Sequence, residues 1–468
     1  MRSTRLSATA FVLSGLLCAA CSGAPDVEPD AAAPSRAQPA LRAQAPAGGG
    51  QPGRSAPMPP TMIGSEPALP RKVHLVSSRA TFRELSGLAR PRGVHRDSSG
   101  TDLVVSEIDA TRLEEVAGIV HRTEQRCGGF FAFDTREEAE AFLRADRSAA
   151  AIVAAQASYT LDNGTTVDHW LPQVREPRIR ETIRHLSSYQ NRYFTSPTGK
   201  ASAEWIRETW ASLAAGRSDV TTALFTACAG CSTQPSVVLT IEGTSLRDEV
   251  VVLGAHLDSI NAYGGGSPDQ SAPGADDDAS GIAVLTETLQ IALASGWRPR
   301  RTVKFMGYAA EEVGLRGSNA IAQAYREAGV DVVAVLQVDM TNYKAGPVQD
   351  MKLITDYSNA SLKTFFERLF DTYMAPLGHT RGTYTCGYGC SDHASWTNAG
   401  YPAAMMFEAG DPDGSFPYIH TTGDTLAMMG DTAQPSVKFA QFALAFLGET
   451  AKTRIMQTGG PLRPQAKR

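Results

Sequence analysis

The sequence predicts an α/β architecture: a mainly parallel central sheet flanked by helices, preceded by a small α/β domain. Two observations carry that expectation. Short β-rich runs alternate with helical patterns from about residue 161 to 452, and strands bounded by helices pair in parallel with both faces covered. The composition (42% hydrophobic, 7% aromatic, 20% charged) also supplies a packed core and excludes full disorder. At about 100–200 residues per domain, 468 residues allow two to four domains. With 44 basic against 49 acidic residues the net charge is −5, which argues against a nucleic-acid binder relying on a basic face.

The N-terminus reads as an export segment spanning residues 1–21. Arg2 and Arg5 precede the apolar stretch Leu6 to Leu17, which is too short to span a bilayer, and Ala19 and Ala20 supply small residues at a cleavage site. Leu17-Cys18-Ala19-Ala20-Cys21 also matches a lipoprotein processing box, although Cys18 stands where such boxes usually carry Leu. Two outcomes stay open: a lipid anchor at Cys21 on the cell envelope, or cleavage after Ala20 and secretion. Either way the chain enters a compartment where disulfides persist. Residues 22–70 are Ala, Pro, Gly, Gln and Ser with few large apolar side chains, a disordered linker by composition. Gly48, Gly50 and Gly53 match G-x-G-x-x-G, but no strand precedes them and Pro52 interrupts the match. Neither a Walker A motif nor a G-x-S-x-G elbow occurs in the chain.

Residues 71–160 form the small α/β unit. Asp102–Val105 reads as a strand, Asp109–Val120 as a helix with Leu113, Val116 and Ile119 on one stripe, and Gly128–Phe133 as a strand. Thr135 with Glu138 three residues later is a capping box opening a further helix. In the larger section, strands are expected at Ser236–Ile241, Glu249–Leu253, Thr302–Met306, Val332–Val338, Lys352–Thr355 and Ala403–Phe407. Helices are expected at Ala279–Ala294, Ser318–Ala328, Ser361–Tyr373 and Ser436–Leu447. Residues 453–468 are a basic, Pro/Gly-bearing tail.

Ligands in such folds collect at the carboxyl ends of the strands, and the chemistry-bearing residues fall there. His256 and Asp258 leave one strand on the same side, and a carboxylate beside a metal-binding His commonly fixes its tautomer. Asp276-Asp277-Asp278 precede an apolar helix, where crowded like charges call for a cation or the helix N-terminus. Glu311 and Glu312 follow another strand; adjacent side chains diverge, so one can ligate metal while the other faces a water as base. Asp339 follows the run at Val332–Val338, and His420 lies in a loop before the last helix. This mixed N/O set suits two zinc ions, which about 3.5–4 Å apart clamp a carbonyl and activate a bridging water.

His256-Leu257-Asp258, Gly274 to Gly281, Ala310 to Leu315, Val338 to Tyr343, Cys390 to Trp396 and Ile419 to Thr422, in that order, resemble the bacterial leucyl aminopeptidases, secreted two-zinc exopeptidases. The resemblance covers Asp168 to about Lys452, so residues 161–452 would be the catalytic domain with a zinc exopeptidase-like fold. It implies that Asp277 bridges two Zn2+, that His256 and Asp339 complete one site, and that Glu312 and His420 complete the other. It further implies Glu311 as general base, Asp258 as the partner of His256, and Tyr388 as a residue that helps polarise the scissile carbonyl. Cys386 and Cys390 match a disulfide in the loop carrying Tyr388. Met340, Ile354, Met405, Phe407 and Ile419 match or lie near the apolar pocket for the first side chain, which the family prefers large and hydrophobic. The implied substrates are peptides with a free N-terminus, and the expected state is a monomer. In the family an N-terminal section often acts as an intramolecular chaperone and inhibitor, and Arg126 to Phe131 resembles part of one, so residues 71–160 are expected to be a prosegment.

Other readings share the architecture: a zinc carboxypeptidase, an aminoacylase, a glutaminyl cyclase, or a non-catalytic surface lipoprotein. A carboxypeptidase would need a cation for the substrate carboxylate, and Arg381 is the nearest candidate. Of seven cysteines, Cys18 and Cys21 fall in the export segment and Cys127 in the small unit. Cys228, Cys231, Cys386 and Cys390 remain, as two local disulfides or a four-Cys zinc site; export favours the disulfides.

Overall fold

The computed structural model describes residues 71–96, 102–124, 128–144, 159–264, 268–345, 349–387, 389–408 and 415–453. The expected export segment with Cys21, the linker, Cys127, Tyr388 and residues 454–468 lie outside them.

The first unit is an antiparallel sheet in the order β2-β3-β1-β4, made of β1 (Lys72–Ser78), β2 (Arg90–Arg96), β3 (Asp102–Asp109) and β4 (Phe130–Phe133). Its helices are α1 (Arg79–Glu84), α2 (Leu113–Glu124) and α3 (Arg136–Arg144). The α2 stripe Leu113, Val116 and Val120 is buried with Val73 and Leu75 of β1. The capping box is reciprocal: the Thr135 N–H donates to Glu138 Oε2 at 3.1 Å, and the Glu138 N–H to Thr135 Oγ1 at 3.2 Å.

The larger unit carries an eight-stranded sheet in the order β11-β10-β12-β9-β7-β8-β6-β5. These strands are β5 (Val220–Phe225), β6 (Ser236–Ile241), β7 (Leu246–His256), β8 (Arg301–Tyr308), β9 (Asp331–Val338), β10 (Met351–Ile354), β11 (Arg381–Tyr384) and β12 (Ala403–Phe407). The pairs β7/β8, β7/β9, β9/β12 and β10/β11 are parallel; β5/β6, β6/β8 and β10/β12 are antiparallel. Around the sheet lie α4 (Gly164–Trp170), α5 (Glu176–Ser187), α6 (Pro197–Leu213), α7 (Ala279–Ala294), α8 (Arg316–Glu327), α9 (Ala360–Leu369), α10 (His393–Asn398) and α11 (Gln434–Ala451). α7 and α11 are buried on nearly every side, which explains why neither reads as a one-sided amphipathic helix.

Each strand and helix expected by range is present, with ends shifted by a few residues. The helix expected from Asp109 instead opens with a 3₁₀ turn, Ala110–Arg112, before α2, and α9 continues through a π turn at Phe370–Met374. Sequence patterning passed over β1, β2, β5 and β11. Three of them are edge strands, and two of these carry the charged or proline-bearing sequences that blunt an edge: β2 reads RPRGVHR and β11 reads RGTY.

Lys304 is one of several charged residues buried inside the larger unit. Lys304 of β8 is 3% exposed; its ammonium donates to Thr240 Oγ1 at 2.9 Å and sits 5.9 Å from the Tyr325 ring centre. Burial lowers its pKa from 10.5 to about 8, with Glu242 opposing weakly. Below about pH 8 the folded protein therefore holds an ammonium it disfavours, and the penalty fades as pH rises toward 10.5. Lys304→Met is expected to raise the thermal midpoint at pH 7, the gain shrinking between pH 8 and 10.5 in calorimetric scans.

Candidate metal centre

Strand order sets the geometry. β7 lies between β8 and β9, all three parallel, so their carboxyl ends meet at one edge of the sheet. His256 is the last residue of β7 and pairs with Tyr308, the last of β8; Glu311 and Glu312 follow three and four residues later. Asp339 follows β9 directly, Asp276–Asp278 immediately precede α7, and His420 comes from the segment before α11. All are at most 5% exposed.

The ligand atoms converge on Asp277. His256 Nε2 lies 2.9 Å from Asp277 Oδ1 and 3.6 Å from Asp339 Oδ1. His420 Nε2 lies 3.0 Å from Asp277 Oδ2 and 2.8 Å from Glu312 Oε2. One carboxylate thus presents an oxygen to each imidazole. Ligand atoms of His256, Asp277 and Asp339 lie within 4.8 Å of one another, as do those of Asp277, Glu312 and His420, so each trio could hold a cation. Burial opposes the charge on Asp277, yet hydrogen bonds from His256 and His420 hold its carboxyl below the usual range. Burial raises Glu311 well above the ordinary carboxylate value, and burial with the neighbouring Asp277 charge pushes Glu312 up to about 7. Burial would depress His256, but Asp339 and Glu311 outweigh it and raise its pKa.

Three further carboxylates tie the ligand segments together. Asp258 accepts the N–H groups of Glu311 (3.0 Å) and Glu312 (3.2 Å) while its Oδ1 sits 3.4 Å from His256 Nδ1. Asp278 accepts from His256 N–H (3.1 Å), Gly281 N–H (2.7 Å) and Met340 N–H (3.3 Å), joining β7, the start of α7 and the end of β9. Asp424 accepts from Asp276 N–H (2.8 Å) and Asp277 N–H (3.1 Å), binding the His420 segment to the carboxylate that both imidazoles face. Ser391 donates to Asp339 Oδ2 at 2.6 Å. Ala310, Met340 and His420 have φ between 51° and 55°, a strained left-handed conformation for residues with a Cβ, clustered beside these ligands.

Sequence reasoning left out Asp424, Ser391 and the amide-accepting role of Asp278. Asp424 lies four residues after His420 in the same short segment, but nothing in that spacing says which amides it accepts. The structure forms both disulfides, Cys228–Cys231 and Cys386–Cys390, in place of a four-Cys zinc site. The Cys386 and Gly387 N–H groups donate to the two oxygens of Asp356, each at 2.9 Å. Met340, Ile354 and Met405 are buried, and Phe407 and Ile419 half-buried. The β10/β12 register, Lys352 to Phe407 and Leu353 to Met406, carries Ile354 toward Met405. Arg381 is taken up by Asp371 and Glu367, which removes it as a receptor for a substrate carboxylate.

Residues 236–443 match the sequence profile of peptidase family M28. Leucine aminopeptidase 1 of Coccidioides posadasii is 36% identical over 296 residues, 60% of this chain and 72% of that protein. A probable leucine aminopeptidase of Arthroderma otae is 37% identical over 290 residues, 59% of this chain and 75% of that protein. Among solved structures, the LapA aminopeptidase of Legionella pneumophila superposes with a TM-score of 0.69 at 27% identity, over 82% of this chain and 99% of that one. LapB from the same organism gives 0.65 at 28%, over 81% and 99%. Asp424→Asn, which turns an NH2 toward one of two buried amides, is expected to cost about 1–3 kcal/mol in denaturant unfolding; an unchanged midpoint would show that this clamp carries no stability.

Proposed function

The chain belongs to peptidase family M28 and is a metallo-aminopeptidase, and from that premise we propose that it removes large apolar residues from peptides with a free N-terminus, with two Zn2+ held about Asp277. The observation that carries this reading is the sharing of Asp277 between the two trios. The donor chemistry fits: imidazole nitrogens and carboxylate oxygens suit zinc. Glu311 Oε1 and Glu312 Oε1 are buried with no hydrogen-bond partner among the described residues, as acceptors facing a cation or its water would be. His256 and Asp339 would hold one ion, Glu312 and His420 the other. Bound there, the pair would polarise the scissile carbonyl and lower the pKa of a shared water.

The chain's own residues do the rest. Glu311 takes the proton of the attacking water and returns it to the leaving amine, the double role a carboxyl group within reach of that water can fill. Asp258 holds the Glu311 and Glu312 amides in place and faces Nδ1 of His256, leaving Nε2 toward the metal side. Tyr388, in the loop closed by Cys386–Cys390, would donate to the carbonyl oxygen. Met340, Ile354, Met405, Phe407 and Ile419 would receive the first side chain. Glu311→Ala is expected to keep its zinc while turnover falls roughly 10²-fold or more; undiminished hydrolysis of a leucine anilide would remove Glu311 as the base.

We propose further that residues 71–160 are an inhibitory prosegment of an exported enzyme, secreted or anchored through Cys21. Support comes from what α2 touches. The ring of His121, in its last turn, lies 4.9 Å from that of His420, and Arg122 donates to the Ala262 carbonyl at 2.7 Å. A Cβ on Gly118 would meet the Ala262 carbonyl oxygen at 2.8 Å, so α2 presses closely on this segment. Glu114 accepts from Gln270 at 2.6 Å. A helix seated there would stand in the way of a peptide approaching His420. Cleavage that leaves an active form beginning near Leu161–Asp168 is expected to raise aminopeptidase activity; a secreted chain that retains residue 80 by mass spectrometry and is fully active would reject the prosegment.

A further inference from the structure

Arg192, in the turn between α5 and α6, is 0% exposed, and among the described residues none of its hydrogen-bond acceptors is a carboxylate. Its guanidinium donates to four backbone carbonyls: Leu257 (3.0 Å), Pro273 (2.5 Å), Gly274 (2.8 Å) and Leu186 (3.2 Å). Leu257 lies between His256 and Asp258, and Gly274 lies three residues before Asp277. One planar fork therefore spans the two segments that bring His256 and the shared carboxylate together. The Arg192 main chain extends the connection. Its N–H donates to Ser259 Oγ at 2.9 Å, and its carbonyl accepts from Gln234 Nε2 at 2.8 Å. Gln234 Oε1 in turn accepts the N–H of Ala310, next to Glu311, at 3.1 Å.

The fit around the fork is close. Gly274 has φ +53°, and a Cβ there would stand 2.8 Å from Arg192 Nη2 and 2.6 Å from Ser259 Cβ. A buried guanidinium is costly, and here burial is opposed by the fields of Asp424, Asp278, Asp258 and Asp277. The cation sits behind the acidic cluster and takes hold of its backbone, leaving the carboxylate oxygens free for their own partners. A lysine in the same place would keep the charge but concentrate its donors on one atom, which cannot bridge carbonyls on separate segments.

We infer that Arg192, together with Gln234, is a positioning residue: the fork and the Gln234 link set the spacing of three of the segments that carry the metal ligands and the base, those of His256, Asp277 and Glu311–Glu312, so that zinc affinity depends on guanidinium geometry and not on charge alone. This rests on the metal reading above, and the test separates the two. The full chain and its Arg192→Lys and Gln234→Met variants are stripped with a chelator and titrated with zinc against a chromophoric competitor, with thermal midpoints read with and without zinc. Arg192→Lys is expected to bind zinc about tenfold more weakly or worse, and the zinc-induced rise in its midpoint to shrink in step, whatever its metal-free midpoint. A purely structural role would lower the metal-free midpoint and leave the zinc titration unchanged, and that result overturns the inference. If Arg192→Lys does not fold, Gln234→Met decides: weaker zinc binding supports the inference, and wild-type affinity overturns it. A wild-type chain that binds no zinc overturns the metal reading instead.

Discussion

Asp277 is the residue on which the rest of the site depends. A single buried carboxylate faces an imidazole on either side, and this arrangement is stable only if both imidazoles and the backbone beneath them are held from elsewhere. Buried acids repel one another and lose hydration, so each needs donors or a cation. The chain meets that requirement with main-chain amides. Asp258, Asp278 and Asp424 each accept N–H groups from segments that carry the other functional residues. The same hydrogen bonds that satisfy the carboxylates also fix where the ligands stand.

The sheet makes this possible. In a parallel trio such as β9-β7-β8 the carboxyl ends coincide, and three chain segments distant in sequence leave the sheet side by side. The strained φ values at Ala310 and Met340 fall in those exits, and that of His420 in the segment before α11, each at or beside a residue of the cluster about Asp277. The antiparallel pairs flank this trio, β6 joining β8 on one side and β10 joining β12 beyond β9 on the other, and they widen the sheet. The small N-terminal unit reaches the same edge through α2. That places the C-terminal turn of one helix against the ring of His420.

Much of this could be read along the chain. The strands that carry the site are buried apolar runs, and a His, Asp or Glu appears at the end of each or within four residues of it; hydrophobic patterning and the two-residue strand period are local properties. The Thr135–Glu138 box is local as well, and it forms as its spacing requires. The edge strands β2 and β11 were not legible, because an edge is selected against looking like a strand.

The sequence by itself determined which residue types gather at the strand ends, and therefore the family and the kind of chemistry. Only the tertiary structure decided how they face one another: that the middle acid of Asp276-Asp277-Asp278 meets both imidazoles, that its neighbours and Asp424 accept amides, and that Arg192 grips the backbone behind them. The physical reason is range. Periodicity and capping act within a few residues, whereas Asp424 and Asp277 are 147 residues apart and Arg192 and Gly274 are 82. No local pattern encodes a hydrogen bond across that separation; only the folded sheet brings its two ends together.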